Sequence, residues 1–186
     1  MILVRPAREY LASYVAALER RWSPDNSRPE VADEQLQRIK ADPGAFVAGL
    51  EDREAHGGDI TLPDGSVVPR LPGYIRWLWD GEFCGSIGLR WQRGTEALPP
   101  YCLGHIGYAV VPWKRGRGYA TRALAQTLRD ARAEGLRYVV ITTTTDNVAS
   151  QKVLERNGFE RIGLAPRYLH IAGEWRDHLL FQRIAP

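Results

Sequence analysis

A chain of 186 residues, 44 % hydrophobic and 25 % charged, has the length and apolar content for one domain with a real core, and its composition is not that of a disordered segment. A formal net charge of +3 with a pI of about 9.0 is too mild to argue for nucleic-acid binding unless the charge gathers on one face. The apolar runs fall far short of a membrane span, and the opening MILVRPAREY meets acid and base at once, which argues against a transmembrane helix and an export signal.

In chain order, Ile2 to Val4 reads as a short strand. From Pro6 onward, Tyr10, Leu11, Tyr14, Val15, Leu18 and Trp22 recur at three and four, which predicts an amphipathic helix with Pro6 near its first turn. A second, weaker helix is expected around Pro29 to Lys40, with Leu36 and Ile39 inward and the Asp42-Pro43-Gly44 run ending it. Glu51 to Pro72 is polar and rich in glycine and proline, a long loop with a small hairpin at Pro63-Asp64-Gly65. Structureless loops of that length are uncommon in compact domains and are often functional. Tyr74–Trp79 and Glu82–Ile87 then flank Asp80-Gly81, a strong hairpin-turn signal.

The second half alternates strand and helix. His105 to Val111 is a strand stopped by Pro112, and about Gly118 to Glu134 is a helix with Ala120, Leu124, Thr127, Leu128 and Ala131 inward, capped by Gly135. Tyr138 to Thr144 is a β-branched strand, and a short helix from about Val148 to Arg156 ends at Asn157-Gly158. Two further strands, Glu160 to Leu164 and Leu179 to Ile184, enclose an irregular Pro166–Asp177 connection.

The chemistry-bearing stretch is VPWKRGRGYATRAL, where Lys114, Arg115, Arg117 and Arg122 crowd around two glycines as a helix begins. Free N–H groups and the positive end of the helix dipole meet there. Gly116 and Gly118 let the backbone approach a ligand, and Arg115 and Arg117 add charge-assisted hydrogen bonds, which together describe a phosphate or pyrophosphate cradle. A solvated basic loop is the bland alternative. No Gly-x-x-x-x-Gly-Lys-Ser/Thr string occurs, and a dinucleotide fingerprint counted from Gly116 ends on Thr121, so both of those phosphate sites fail on spacing.

What fits is Arg-x-x-Gly-x-Ala, at Arg115, Gly118 and Ala120. It resembles the acyl-coenzyme-A-binding motif of the GCN5-related N-acetyltransferase (GNAT) superfamily. The preceding strand His105–Pro112 agrees, as does Asp146-Asn147-Val148-Ala149-Ser150 followed by Asn157-Gly158-Phe159, similar to the family's second signature. The hairpin and the Gly173–His178 tail look like the ribosomal-protein N-acetyltransferase branch. The resemblance implies an α/β GNAT fold: a mixed, mainly antiparallel sheet with a splayed parallel strand pair and flanking helices. It implies one domain over 1–186, with a coenzyme-binding core at about 104–160 and acceptor-site elements in 51–92 and 165–178.

In that family the acyl-pantetheine arm enters the splay. Backbone groups of Ala109, Val110 and Val111 would then pair with it, and an N–H near Val110 or Val111 would polarise the thioester carbonyl. The N–H groups from Arg115 through Gly116, Arg117, Gly118 and Tyr119 to Ala120 would hold the pyrophosphate. Asn147 would reach the arm, or cap its helix, or both. His105 is the candidate general base, against a structural histidine bonded to a carbonyl; Glu82 and water-mediated routes stay open. Many relatives place an acidic tyrosine where this chain has Leu154, so Ser150 is the candidate to bond the leaving sulfur, with Tyr168 second.

The expected reaction is acetyl transfer from acetyl-CoA, as co-substrate, to a primary amine of a small molecule or protein by direct attack. The alternative is a non-catalytic acyl-coenzyme-A-binding sensor or regulator. Neither a membrane nor nucleic acid is an expected partner, and a homodimer is compatible with the sequence. Cys84 and Cys102 lack a Cys-x-x-Cys spacing and His56, His170 and His178 are scattered, so no metal is expected. Two reduced, buried thiols in a cytoplasmic protein are the expectation. The tryptophans read as core, with Trp77, Trp79 or Trp91 in a substrate pocket as the alternative.

Overall fold

The computed structural model describes residues 1–62, 65–171 and 173–186. Strand β1 (Ile2–Val4) leads into helix α1 (Arg8–Glu19), which buries Leu11, Tyr14, Ala17 and Leu18 on the face that the three-and-four spacing defines. Helix α2 (Val31–Ala41) buries Ala32 and Ile39. The Asp42-Pro43-Gly44 run does end α2, but it also starts a further helix, α3 (Pro43–Ala48). The Asp42 carboxylate accepts the Gly44 and Ala45 N–H groups, each at 2.9 Å, and proline at the first helical position has no N–H to leave stranded.

Among the described residues of Glu51–Pro72 lie three two-residue strands, β2 (Glu51–Asp52), β3 (Ile60–Thr61) and β4 (Val67–Val68), the last two paired with each other. The turn residues Pro63 and Asp64 expected between them lie outside the described residues. Strands β5 (Gly73–Trp79), β6 (Phe83–Arg90) and β7 (Ile106–Val110) follow; with β1 they form an antiparallel sheet ordered β1-β5-β6-β7, and β2 also pairs with β5. Asp80 and Gly81 make the expected β5–β6 turn. Just past it, Leu78 pairs with Gly85 and Trp79 with Phe83, so Cys84 is an extra residue in a β-bulge. Gly85 takes φ +148°, and a Cβ there would stand 2.2 Å from the Ala109 carbonyl oxygen.

Helix α4 (Tyr119–Ala133) crosses from β7 to strand β8 (Tyr138–Thr144), and helix α5 (Val148–Arg156) follows. The tail departs from expectation. Instead of two short strands around an irregular connection, β9 (Glu160–Ile171) and β10 (Glu174–Ile184) form a long hairpin in a second antiparallel sheet ordered β8-β10-β9. Pro166 is tolerated because β9 is the edge strand, where a missing N–H costs no inner ladder bond. The irregularity survives as a bulge: Arg176 pairs with Leu169 and His178 with Ala165. Arg167 there takes φ +49°, and its N–H donates to the Asp177 carboxylate at 2.8 Å.

Two cores fill the two sides. One packs α4 and α5, through Leu124, Leu128 and Leu154, on Ile106, Ile141 and Phe181. The other packs α1, α2 and α3 on Trp77, Phe83, Ala109 and Val111. Its centre is Tyr14, stacked on Trp77 at 4.6 Å between ring centroids and edge-on to Phe83 at 4.9 Å. Strand β7 alternates between the two cores, as a strand buried on both faces must. Of the positions expected inward on α4, Ala120 is only half-buried, and Ala123 joins the core in its place.

Candidate active site

The basic stretch folds as a 3₁₀ turn (Pro112–Lys114), an extended Arg115, and two left-handed glycines, Gly116 (φ +76°) and Gly118 (φ +70°), ahead of α4. The helix makes its first backbone bond from the Arg122 N–H to the Gly118 carbonyl at 3.1 Å. The N–H groups of Tyr119, Ala120 and Thr121 are thereby left over at the positive end of a 15-residue helix. Arg115 and Arg117 are exposed at this turn, and Arg115 Nε donates to the Val110 carbonyl at 3.2 Å. The other two cations serve the fold. Arg122 bonds the Arg117 carbonyl, and Lys114 is buried, its ammonium 3.0 Å from Asp80 and 2.6 Å from Glu82. Asp80 also accepts the Tyr119 hydroxyl at 2.5 Å. That hydroxyl and the Lys114 ammonium hold the Asp80 carboxyl well below the usual carboxylate range.

Beside this turn the two sheets part. The chain segment before β7 meets β8 closely: the His105 N–H donates to the Val140 carbonyl at 2.8 Å, and the Thr142 hydroxyl to the Leu103 carbonyl at 2.8 Å. A Cβ on Gly104 would lie 3.0 Å from the Val140 oxygen, so glycine lets the two backbones meet. Past that closed end no ladder joins β7 to β8 among the described residues. On β7 the odd positions bond β6, as the Arg90 N–H to His105 carbonyl bond (2.9 Å) and the Val111 N–H to Cys84 carbonyl bond (3.0 Å) mark out. The N–H and carbonyl of Tyr108 and the N–H of Val110 therefore face the seam, the Val110 carbonyl being taken by Arg115. Of the two N–H groups named for the thioester carbonyl, Val111's is consumed by the bulge and Val110's is aimed into the gap. Ala109, an odd position, turns its backbone to β6 and its side chain to the α1 core.

Across the seam, Tyr108 reaches α5: its hydroxyl lies 2.9 Å from Ser150 Oγ. Burial pushes the phenol up to about 12, with the Ser150 bond opposing, so it keeps its proton at physiological pH, and either hydroxyl can donate to the other. Asn147 caps α5, accepting the Ser150 N–H at 3.1 Å, and also lines the cleft. Leu154 is 0 % exposed inside the α4–α5 core.

A cleft of about 800 Å³ runs from Tyr108 and Asn147 to Tyr14. The elements named from sequence for the acceptor side all contribute to its wall: Ile60 to Leu62 from the long loop, Ile75 and Trp77 from the hairpin, Leu169 and Arg176 from the tail. The Pro24–Arg28 loop joins them unforeseen. Trp91 packs in the core and Trp79 against Tyr10 at 4.7 Å. His105, the candidate base by its place on the strand, does not line the cleft; it is 1 % exposed at the closed end, where its Nδ1 accepts the Val140 N–H at 3.0 Å. Burial lowers its pKa. Glu82 is spent on Lys114, and Tyr168 lies over His178 with ring centroids 5.3 Å apart. His178, passed over in the sequence as one of several scattered histidines, does line the cleft, 5 % exposed. Its signal was its register, out of phase with the core residues Leu179 and Phe181.

Both cysteines are free thiols, Cys84 buried and Cys102 only half-buried. Among the described residues no helix is long and apolar enough to cross a membrane, and no group of three or more His, Cys, Asp or Glu side chains is placed to hold a metal ion.

Comparison with known proteins bears on what such a seam is for. The profile of the acetyltransferase (GNAT) domain matches residues 2–160. The ribosomal protein uS5-alanine N-acetyltransferase of Escherichia coli (strain K12) is 32 % identical over 83 residues, 44 % of this chain; the match spans 43 % of that relative, less than half its length. Among solved structures, Mycobacterium smegmatis RimJ in complex with CoA-disulfide is 25 % identical, with a TM-score of 0.65 over 97 % of this chain and 80 % of that one. The microcin C7 self-immunity acetyltransferase MccE, solved with acetyl-CoA and AMP, shares the fold at 15 % identity, with a TM-score of 0.63 over 98 % of this chain and 91 % of that one. A profile match reaching from β1 to the start of β9, on a fold that opens between β7 and β8 beside a bare helix N-terminus, fixes the kinship: the chain belongs to the acetyltransferase (GNAT) domain family.

Proposed function

We propose that the protein transfers an acetyl group from acetyl-CoA to a primary amine by direct attack, as one domain over 1–186 working in the reducing cytoplasm, to which its free thiols are suited. The observation that carries this reading is the seam, where the backbone groups of Tyr108 and the N–H of Val110 face a gap in place of a neighbouring strand's ladder. An extended amide-bearing arm would complete that ladder. The α4 turn, with its leftover N–H groups, Gly116, Gly118 and the exposed Arg115 and Arg117, would receive the pyrophosphate. The Val110 N–H would hold the oxyanion formed at the thioester carbonyl. Ser150 on α5, bonded to Tyr108 on β7, would pass a proton to the leaving sulfur, a hydroxyl pair in place of the one that Leu154 cannot supply. The relative named for alanine N-acetylation supports a protein α-amine as the acceptor.

The test is calorimetric titration with acetyl-CoA of the wild type and of Gly118→Asp. A side chain at Gly118 is strained by its φ of +70°, but aspartate is among the residues that tolerate the left-handed region, and a Cβ there meets only the end of the Arg122 side chain, at 3.4 Å; with folding checked by circular dichroism, the variant places a carboxylate on the cradle. The wild type should bind, and the variant should lose at least roughly tenfold in affinity, about 1.4 kcal/mol. No binding by folded wild type would overturn the proposal. The buried Leu154 motivates a second reading, acyl-CoA binding without turnover. Thiol release in the presence of an amine would eliminate it.

A further inference from the structure

We propose that His178 is the general base of the acceptor side, taking the proton of the incoming amine at Nε2. The inference rests on the acetyl-transfer reading and assigns a residue to it. His178 pairs with Thr144 across the β10–β8 ladder, while Leu179 and Phe181 turn into the α4–α5 core. His178 therefore stands on the opposite face, towards the cleft that it lines. Tyr108 packs against the α4–α5 core and meets Ser150 on α5. Base and acid thus come from opposite faces of the splay, as an amine arriving on one side and a thiolate leaving on the other require.

The hydrogen bonds around the ring select its tautomer. The Thr142 hydroxyl has one proton and donates it to the Leu103 carbonyl at 2.8 Å. In its 3.3 Å contact with His178 Nδ1 it can only accept, so Nδ1 carries the ring proton. The Nε2 lone pair is then bare, buried, and without a hydrogen-bond partner among the described residues. A buried nitrogen left without a partner is costly, and a donor reaching it from the cleft would relieve that cost. His105 is locked the other way. Its Nδ1 lies 3.0 Å from the Val140 N–H and 3.4 Å from the Val140 carbonyl; the shorter contact makes Nδ1 the acceptor, which puts the ring proton on Nε2. Two buried histidines, both with a solitary Nε2, are thus a base and a non-base.

The surroundings keep His178 neutral and available. Burial lowers its pKa, and the Asp146 carboxylate opposes that. Asp146 is in turn paired with Arg176 at 3.4 Å, Thr142 and Thr144 flank the ring from β8, and Tyr168 covers it from β9. In the reaction Nε2 takes one proton from the acceptor ammonium and later releases it to water. The freed nitrogen lone pair bonds to the carbonyl carbon, the C–S bond breaks, and the remaining ammonium-type proton leaves the nitrogen to solvent. The sulfur gains a proton through Ser150 and Tyr108, which recover it from water. One proton is released overall.

The test has two arms. Long-range proton–nitrogen spectra of histidine-labelled protein, assigned with His178→Gln and His105→Gln, should show His178 protonated at Nδ1 and bare at Nε2 near neutral pH, and His105 the reverse. A proton on Nε2 of His178 would overturn the proposal. In the second arm, thiol release is followed with acetyl-CoA and an alanine-first peptide. His178→Gln should lower kcat roughly 10²–10⁴-fold and lose the acidic limb of the pH profile, while acetyl-CoA affinity stays at the wild-type value. Added imidazole should partly restore His178→Ala. An unchanged kcat and pH profile would sink the assignment. Failure of the wild type to bind acetyl-CoA would instead remove the acetyl-transfer reading, with the spectra still deciding the tautomer.

Discussion

On the acetyl-transfer reading, the acid's role falls to a residue other than Leu154. The Leu154 side chain fills the α4–α5 core, so the hydroxyl that approaches α5 comes from Tyr108 on the facing strand. Tyr108→Phe keeps the ring that packs on the core and deletes the donor. It should leave acetyl-CoA affinity near wild type and lower kcat roughly ten- to hundredfold, the smaller end of what a positioned acid supplies. Steady-state thiol release with separately measured binding checks this, and an equal loss in both would mean that the tyrosine only shapes the seam. Neither Tyr108 nor His178 stood out in the sequence, because each acts through a partner more than thirty positions away. Arg115 and Gly118 did stand out, since a turn and the helix that it opens are written in consecutive residues.

At the scale of elements, local signals were legible and long-range ones were not. Asp80-Gly81 marks its hairpin because a two-residue turn demands residues that tolerate positive φ, and α1 and α4 are marked by their periodicity. Asp42-Pro43-Gly44 was ambiguous because the residues that stop one helix can also cap the next. The outer halves of β9 and β10 were hidden because Pro166 and the Arg167 bulge break alternation, and pairing with a long partner strand overrides both. The Cys84–Gly85 bulge was equally silent, though it fixes which N–H of β7 remains free. Gly85→Ala should collide with the Ala109 carbonyl and force the bulge to shift, costing roughly 2–4 kcal/mol. Chemical denaturation would reveal it, and an unchanged midpoint would mean that the close approach relaxes freely.

Across the whole molecule, Asp80 ties the hairpin of one sheet to the turn that opens α4, through Lys114 and Tyr119. Its folded pKa is depressed below the ordinary carboxylate value of about 3.9, so the stabilisation is complete above that value and drains away as pH falls through the depressed one. Wild type should therefore melt above Asp80→Asn by a constant margin from about pH 7 to about pH 5, and the margin should shrink below about pH 4. Melting curves across that range decide it: a margin independent of pH would show that the carboxylate's charge is not what holds the turn. The GNAT fold itself was readable from two ordered motifs, while the acceptor wall was readable only as a set of regions, because its residues come from loops with no shared pattern.

The two cores on either side of β7 have a consequence for redesign. Because Ile106 faces one and Ala109 and Val111 face the other, side chains of the α1 to α3 layer can be exchanged without touching the packing of α4 and α5. On the acetyl-transfer reading, the acceptor wall would be open to retailoring from one side of a single strand, with the coenzyme turn left undisturbed on the other.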